Sequence, residues 1–414
     1  MTRSTRYRTD QSDPTDPTAV PLIARFNTTI NLATKLMKHT SKIIVVLLAC
    51  AQALGAKTTE ISASKPKSKL QKQRMEICFV VDTTGSMGGL IEGAKQKIWS
   101  IANELIGAKP TPDLKIGLVA FRDRGDEYVV KSFHLTDDID SVYAELRKFK
   151  ADGGGDTPES VNEALEEAVN KMAWSQDRDV LKIIFLVGDA PPHMDYANGP
   201  KYPDICKSAM KKEIVINTVQ CGNIGDTTPV WQEIAKLSEG SFVAIAQTGN
   251  MAVIATPMDD KLAELNRKVG STLIPYGDKA LRREVSAKQA VSESAPASAA
   301  ADRLSYNAKT GKAVQGAGEL LDALAVGAIK YEAIEAKNLP EDLKSLDKEE
   351  LKDRVEKMRG ERSDLQKQII TLGQERDAYI AVETKRSMKE GSGDSFDQKV
   401  AEMIRKEAAK KAGK

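Results

Sequence analysis

From about residue 75 to residue 270 the chain alternates between two hydrophobic periods. Short apolar runs, typical of strands buried on both faces, recur between longer segments with apolar residues at helical spacing. The predicted strands are residues 76–82, 115–122, 128–134, 182–187, 214–220 and 242–246. The predicted helices lie near residues 86–106, 141–150, 158–173, 205–212, 229–237 and 253–269. This alternation predicts a doubly wound, Rossmann-like α/β fold with a mostly parallel six-stranded sheet. A short loop precedes the strand at 128–134, so we expect that strand to pair antiparallel at the sheet edge.

The pattern changes after this α/β region, which we take as residues 75–270. Residues 271–337 are rich in Ala and Ser and predict a linker, with a flexible tether at 286–301 and one Ala-rich helix over 318–335. Residues 338–385 carry a heptad pattern between Leu351 and Tyr379, with Arg362 and Arg376 at two of the four a-type positions. This seam predicts either a coiled coil that joins two copies of the chain or a single amphipathic helix, or a helical hairpin, that docks on the body. Residues 386–414 predict a charged, solvated tail.

The amino-terminal region resembles an export signal. Residues 37–56 combine a basic start, the apolar run 43–48 and a zone of small residues, which is the pattern of a secretory signal peptide. We therefore expect Met37 to be the natural start, residues 1–36 to be an extension, cleavage after Ala53 or Ala56, and a linker over 57–74. The apolar run is too short to span a membrane, which takes about 20 residues. A lipoprotein attached through Cys50 is the alternative.

Oxygen-bearing side chains follow three of the predicted strands or open the next helix. Asp82, Thr84 and Ser86 follow the first strand, Thr157 lies in a glycine-rich loop before a helix, and Asp189 ends the fourth strand. Ligands bind at the carboxyl ends of the strands in open α/β sheets, and hard cations such as Mg²⁺ prefer carboxylate and hydroxyl oxygens. Each residue alone could cap a helix. Three loops that meet in one crevice instead favour a divalent-cation site, with Mg²⁺ expected first and Mn²⁺ or Ca²⁺ as alternatives.

These motifs resemble the metal-ion-dependent adhesion site of von Willebrand factor A (vWA) domains, with Asp-x-Ser-x-Ser, Thr and Asp on successive loops. Thr84 replaces the usual Ser and keeps the hydroxyl. Residues 120–128 and 189–193 also resemble a vWA subgroup found in secreted bacterial proteins. The resemblance implies that the hydroxyls contact the ion and that an acidic residue of a partner completes its coordination. Gly85, Asp156 and His193 are the residues that we expect to line the ligand side.

Composition narrows the function classes. The net charge of +2, with no basic cluster interleaved with aromatic residues, argues against nucleic-acid binding. No Gly-x-Ser-x-Gly elbow, phosphate loop or kinase motif set is present, so we expect no catalytic residues and no enzyme activity. Cys206 and Cys221 flank a predicted helix–strand unit, and we favour free thiols over a disulfide there. The sequence thus predicts an exported, metal-dependent binding module for a protein or other acidic ligand. The alternatives are an intracellular vWA factor that assists assembly of a complex and a structural surface protein with a vestigial metal site.

Overall fold

The computed structural model describes residues 73–107, 111–389 and 395–412. The predictions for the signal-like region, Cys50 and nearly all of the first linker fall on residues 1–72, outside the described residues. Within the described ranges, no helix combines the length and the apolar character that a membrane crossing requires.

A six-stranded sheet forms the centre of the fold, in the order β3-β2-β1-β4-β5-β6. β3 pairs antiparallel with β2 at one edge, and every other pairing is parallel, as predicted. The strands are β1 (Arg74–Asp82), β2 (Asp113–Phe121), β3 (Val130–Thr136), β4 (Val180–Gly188), β5 (Ile214–Cys221) and β6 (Phe242–Ile245).

The strands are apolar on both sides because both faces of the sheet are covered. In β1, Ile77 and Phe79 belong to one buried cluster, whereas Cys78 and Val80 belong to the cluster on the other face. This alternation follows from the two-residue period of a strand. It explains why the sequence of the central strands reads as a continuous apolar run.

Helices from the first part of the chain lie on both faces. α1 and α2 contribute to the cluster that contains Phe79, and α3, α4 and α5 contribute to the opposite one. Their bounds are α1 (Gly88–Leu105), α2 (Ile139–Leu146), α3 (Val161–Glu166), α4 (Tyr202–Lys211) and α5 (Thr227–Leu237). A single π-helical turn (Glu167–Lys171) extends α3.

In the described part of the chain, seven further helices follow β6. They are α6 (Asp259–Gly270), α7 (Lys279–Glu293), α8 (Ala297–Thr310), α9 (Leu320–Ala325), α10 (Glu341–Lys344), α11 (Lys348–Lys389) and α12 (Phe396–Ala412), with short 3₁₀ turns at Tyr331–Ala333 and Ala336–Asn338.

The prediction of a solvated tail is wrong for α12. Phe396, Val400, Met403 and Ile404 are buried in the same cluster as Phe79, so a segment more than 130 residues beyond β6 completes the core on that face of the sheet. The four apolar residues recur at helical spacing, but they span only nine residues and the basic residues that follow concealed the pattern.

The predicted linker is also wrong in its main feature. Residues 286–301, expected to be a flexible tether, lie largely in α7 and α8, and Trp99 of α1 packs edge-on against Tyr306 of α8 with ring centroids 5.5 Å apart. Alanine is the best helix former, so an Ala-rich stretch can fold when it has a partner surface. The single helix expected over 318–335 is reduced to α9, because Gly327 adopts a left-handed conformation (φ +71°) just beyond its end.

The heptad residues of α11 face the body of the same chain. Val355 and Ile369 are buried in clusters with residues of α6, α8 and α9. Arg362 donates to both carboxylate oxygens of Glu319, and Arg376 donates to Asp259 at 2.7 Å. Of the predicted alternatives, the helix that docks on the body is therefore the one that the structure shows. Cys78, Cys206 and Cys221 are free and buried, which agrees with the preference for free thiols.

Candidate metal centre

Three loops meet at the carboxyl end of the sheet. Asp82 is the last residue of β1, and the chain then passes Thr84 into a 3₁₀ turn (Gly85–Met87) that leads to α1. The N–H of Gly85 donates to the carbonyl of Gly153 at 3.2 Å, which ties this loop to the glycine-rich loop. Gly85 is therefore placed as a structural link between two loops rather than as a side-chain ligand.

Asp82 is buried, and one of its two oxygens is unsatisfied. Its Oδ1 accepts hydrogen bonds from the N–H of Thr84 at 2.8 Å and from Thr84 Oγ1 at 2.6 Å. Thr84 Oγ1 also lies 3.4 Å from Ser86 Oγ, so the three predicted residues of this loop form one polar chain. Asp82 Oδ2 is buried with no hydrogen-bond partner. An orphaned buried carboxylate oxygen is costly unless a cation occupies the space beside it.

Asp189 comes from the loop after β4 and joins the same region through Gln247. Gln247 Nε2 donates to Asp189 Oδ2 at 2.7 Å and to the carbonyl of Ser86 at 3.2 Å. Thr227 Oγ1 donates to the carbonyl of Asp189 at 2.7 Å and fixes the backbone there. Sequence reasoning missed Gln247. Its only signal is that it follows the last strand, at the same edge of the sheet.

Glu159 is a further buried carboxylate that sequence reasoning missed. Its Oε2 has no hydrogen-bond partner. The side chain lies close to the glycine-rich loop and to Thr84: a Cβ added to Gly154 would lie 3.4 Å from Glu159 Oε1 and 3.1 Å from Thr84 Cβ. Burial is the main cause that raises the pKa of Glu159 to about 9, and the neighbouring carboxylates, Asp82 first, raise it further. The signal in the sequence was its place two residues after Thr157, at the start of α3.

The pKa of Asp82 is raised by the same two causes, burial and neighbouring carboxylates. Burial raises the pKa of Asp82 to about 7, Asp189 adds to that effect, and the two hydrogen bonds from Thr84 oppose it. Among the described residues, no ion pair links a lysine or arginine to Asp82, Asp189 or Glu159. Carboxyl groups at this edge are thus concentrated without an ion pair to a lysine or arginine of the described residues.

Asp156 and Thr157 lie exposed on the glycine-rich loop. Gly153 and Gly154 precede them with φ of +76° and +81°, a backbone conformation that glycine adopts readily. The loop is held against the β4 loop by two backbone bonds, from Glu159 N–H to the Pro191 carbonyl and from His193 N–H to the Glu159 carbonyl. The structure brings Asp82, Thr84, Ser86 and Asp189 together, and it leaves Thr157 on the open side without a hydrogen bond to those four.

His193 and Asp156 belong to a neighbouring group rather than to this one. The ligand atoms of Asp123, Asp156 and His193 all lie within 4.8 Å of one another. Asp123 follows β2, and it was not a predicted site residue, although it lies in a motif on which the resemblance to vWA domains rested.

The donor set fits a divalent cation. The first group offers carboxylate and hydroxyl oxygens, and the unsatisfied Asp82 Oδ2 gives an independent reason for a cation at this point. Asp82, Thr84, Ser86 and Asp189 would hold the ion, with Thr157 at the open side.

The fold and the site define a class of protein, and comparison with known proteins agrees with it. Residues 76–257 match the family model of the von Willebrand factor A domain, and this part of the chain is a vWA domain. The von Willebrand factor A domain-containing protein 7 of Mus musculus is 38% identical over 116 residues, and that of Homo sapiens is 35% identical over the same length. These matches cover 28% of this chain and only 12% of each relative. An ariadne-like RING finger protein of Acanthamoeba polyphaga mimivirus is 30% identical over 122 residues, which are 29% of this chain and 11% of that protein.

Solved structures with similar folds are more distant. BatB, a conserved hypothetical protein from Bacteroides thetaiotaomicron, is 18% identical with a TM-score of 0.31; the match covers 42% of this chain and 90% of that one. Proximal thread matrix protein 1 from the mussel byssus, solved with a zinc-occupied MIDAS motif, is 17% identical with a TM-score of 0.33, over 42% of each chain.

Proposed function

We propose that the vWA domain binds a divalent cation, Mg²⁺ in the first place, and uses it to capture an acidic group of a protein partner. The proposed ligands are Asp82, Thr84, Ser86, Thr157 and Asp189. The observation that supports this most is the buried Asp82 Oδ2, which has no hydrogen-bond partner. Among the residues that the structure describes, no lysine or arginine forms an ion pair with Asp82, Asp189 or Glu159. Mn²⁺ and Ca²⁺ are the alternative ions.

The chemistry of the ligands supports capture rather than catalysis. Hydroxyl oxygens carry no charge, so an ion held by few carboxylates keeps part of its positive charge and attracts a further carboxylate from outside. The exposed glycine-rich loop leaves that side of the site accessible. We propose no enzyme activity, because the ion in this role binds a partner and no nucleophile–base pair is assigned.

We further propose that the protein is exported to the periplasm, the cell surface or the medium, on the basis of residues 37–56. The runner-up is an intracellular vWA factor that assists assembly of a complex, and the three free buried thiols favour it, since unpaired cysteines are typical of a reducing compartment. Intact mass of the protein from fractionated cells separates the two: a chain that begins near residue 54 or 57 supports export, and an uncleaved chain inside the cell supports the alternative.

The metal site is tested by calorimetric titration of Mg²⁺ and Mn²⁺ into the chelator-stripped full chain and into Asp189→Ala. We expect saturable binding to the parent chain and none to the variant. At 100 times the dissociation constant, Mg²⁺ should also raise the free energy of unfolding by about 2.7 kcal/mol.

The control is Asp204→Ala, which removes an exposed carboxylate from α4 and should leave the titration unchanged. Equal binding to the parent chain and to Asp189→Ala would reject Asp189 as a ligand. Absence of binding to the parent chain would reject the proposal for the isolated protein.

A further inference from the structure

We propose that Asp123, Asp156 and His193 form a second metal site, selective for Zn²⁺ or a similar transition metal and separate from the site at Asp82 and Asp189. It goes beyond the proposed function, because it does not depend on a cation at the first site. The argument rests on the spacing of the three ligand atoms, on the unpartnered nitrogen of His193 and on the side chains that hold both ligands in place.

The spacing of two of the ligand atoms matches tetrahedral coordination, and the third lies within reach. His193 Nε2 lies 3.4 Å from Asp123 Oδ2, and the ligand atoms of all three residues lie within 4.8 Å of one another. Two ligands at the usual zinc distances of about 2.0–2.1 Å, related by the tetrahedral angle, are about 3.3 Å apart. The Nε2 to Oδ2 distance is therefore the one expected for two ligands of one zinc ion.

His193 presents a free nitrogen to this space. Its side chain is only 6% exposed, and Nε2 has no hydrogen-bond partner. Its Nδ1 lies 2.8 Å from Asp195 Oδ1. An ionised carboxylate can only accept, so we assign the hydrogen to Nδ1, which leaves a lone pair on Nε2. A carboxylate behind the ring is the arrangement that orients histidine ligands in zinc sites.

Asp123 is held in the same way. Ser160 Oγ donates to its Oδ1 at 3.0 Å, and Tyr196 OH lies 3.1 Å from Oδ1 and 3.2 Å from Oδ2. The Tyr196 ring stacks on the His193 ring with centroids 4.1 Å apart. One tyrosine thus positions both proposed ligands, and this rigid support is what a metal site needs in order to bind without reorganisation.

Asp156 supplies the third ligand from the exposed glycine-rich loop. Three protein ligands leave a fourth position for water or an outside group. The imidazole nitrogen separates this site from the all-oxygen first site, because histidine suits zinc, cobalt and nickel, whereas Mg²⁺ prefers oxygen. The two sites adjoin, since Asp156 and Thr157 are consecutive and Asp189 and His193 share one loop.

The test is a titration of Zn²⁺ and of Co²⁺ into the chelator-stripped full chain carrying Asp189→Ala, which removes the first site. We expect one tightly bound Zn²⁺, and visible ligand-field absorption of four-coordinate Co²⁺. Adding His193→Ala should abolish the absorption and weaken Zn²⁺ binding at least 100-fold. Adding His134→Ala, the matched control on an exposed histidine of β3, should change neither.

Two further variants keep the test decisive. Asp156→Ala changes an exposed residue, so its expected loss of Zn²⁺ binding does not come from misfolding. Asp195→Ala should weaken Zn²⁺ binding about 10–100-fold, as removal of a hydrogen-bond partner of a ligand does. Unchanged Zn²⁺ binding in His193→Ala would overturn the proposal, and so would Zn²⁺ binding that only the chain with an intact first site shows. In the latter case zinc enters the Asp82 site alone, and His193 only contacts Asp123 and Asp195.

Discussion

Two buried regions of this protein differ in whether their ionisable side chains form ion pairs within the chain. In the helical layer after β6, each of three buried arginines meets carboxylates: Arg303 pairs with Asp140, Arg362 with Glu319, and Arg376 with Asp259 and Asp302. At the carboxyl end of the sheet, Asp82, Asp189 and Glu159 are buried with no arginine or lysine paired to them. The described residues thus contain one region whose charges are neutralised within the chain and one whose charges are not.

The difference indicates what each region is for. A buried ion pair that is fully hydrogen-bonded fixes the geometry of the elements it joins, although its net contribution to stability is small. A buried carboxylate without a cationic partner is energetically unfavourable unless it is protonated or a cation from solution binds to it. The helical layer therefore has its charges paired within the chain, whereas the carboxyl groups of the sheet edge are left for a proton or a cation from solution to neutralise.

The largest expected effect comes from breaking a pair in the helical layer. Arg303 and Asp140 are almost fully buried and meet through two bonds, at 2.6 and 2.9 Å. Arg303→Met should lower the free energy of unfolding by about 3–5 kcal/mol, because it leaves Asp140 buried without its cation. Urea unfolding of the full chain measures this.

The control for Arg303→Met is an exposed pair of the same type. Arg405→Ala breaks a contact with Glu104 in which the side chains are 70% and 48% exposed, and it should cost no more than about 1 kcal/mol. A second variant, Arg303→Met with Asp140→Asn, should recover part of the loss. Equal losses in the buried and the exposed pair would show that burial does not distinguish the two.

The sequence predicted the sheet edge better than the helical layer, for a physical reason. Asp82, Thr84, Ser86 and Asp189 directly follow strands, and strand ends of a parallel sheet meet at one edge whatever the rest of the chain does. All six strands were likewise predicted, since their apolar runs are local signals. Gln247 and Glu159 carry only a weak positional signal, and their role depends on the distant residues that surround them.

The helical layer depends on partners that a sequence does not display. The apolar stripe of α12 is short and is followed by basic residues, and nothing in its sequence shows that it packs in one cluster with Phe79. In the sequence, Arg362 and Arg376 are polar residues in an otherwise apolar heptad pattern. Their carboxylate partners, Glu319, Asp259 and Asp302, lie far away in the chain. His193 was predicted at the ligand side of the first site, but the structure places its Nε2 3.4 Å from Asp123 Oδ2.

The next prediction concerns the cost of the unpaired charge at the sheet edge. The pKa of Asp82 rises from its ordinary value of 3.8 to about 7 in the folded chain. The folded state therefore holds this proton more tightly than the unfolded state, and stability is lost as the pH rises from about 4 to about 7. Asp82→Asn should stabilise the metal-free chain by about 1–2 kcal/mol at pH 8, since about 4 kcal/mol for three pKa units is reduced by an unpaired buried amide.

Urea unfolding of the metal-free parent and Asp82→Asn chains at pH 4 and pH 8 separates this effect from packing. The titratable groups that both chains share contribute equally and cancel. The free energy of unfolding of Asp82→Asn minus that of the parent chain should therefore increase by at least 1 kcal/mol from pH 4 to pH 8. A gain of the same size at both pH values would mean that Asp82 is not the group that carries the charge cost.

The smallest expected effect comes from giving the carboxylates of the sheet edge a cation from the chain itself, as the helical layer has. Gln247 is half-buried and already donates to Asp189 Oδ2 at 2.7 Å, so Gln247→Lys would place a cation there. We expect a gain of about 1 kcal/mol in the metal-free chain at pH 8, in the range of a partly exposed ion pair. Mg²⁺ binding should be lost, because the ammonium competes for the same carboxylate.

Gln247→Leu, the control of similar size without charge, should lower the free energy of unfolding of the metal-free chain and keep Mg²⁺ binding. Calorimetric Mg²⁺ titration with urea unfolding measures both quantities, and a Gln247→Lys chain that binds Mg²⁺ as the parent does would show that Asp189 meets its cation elsewhere.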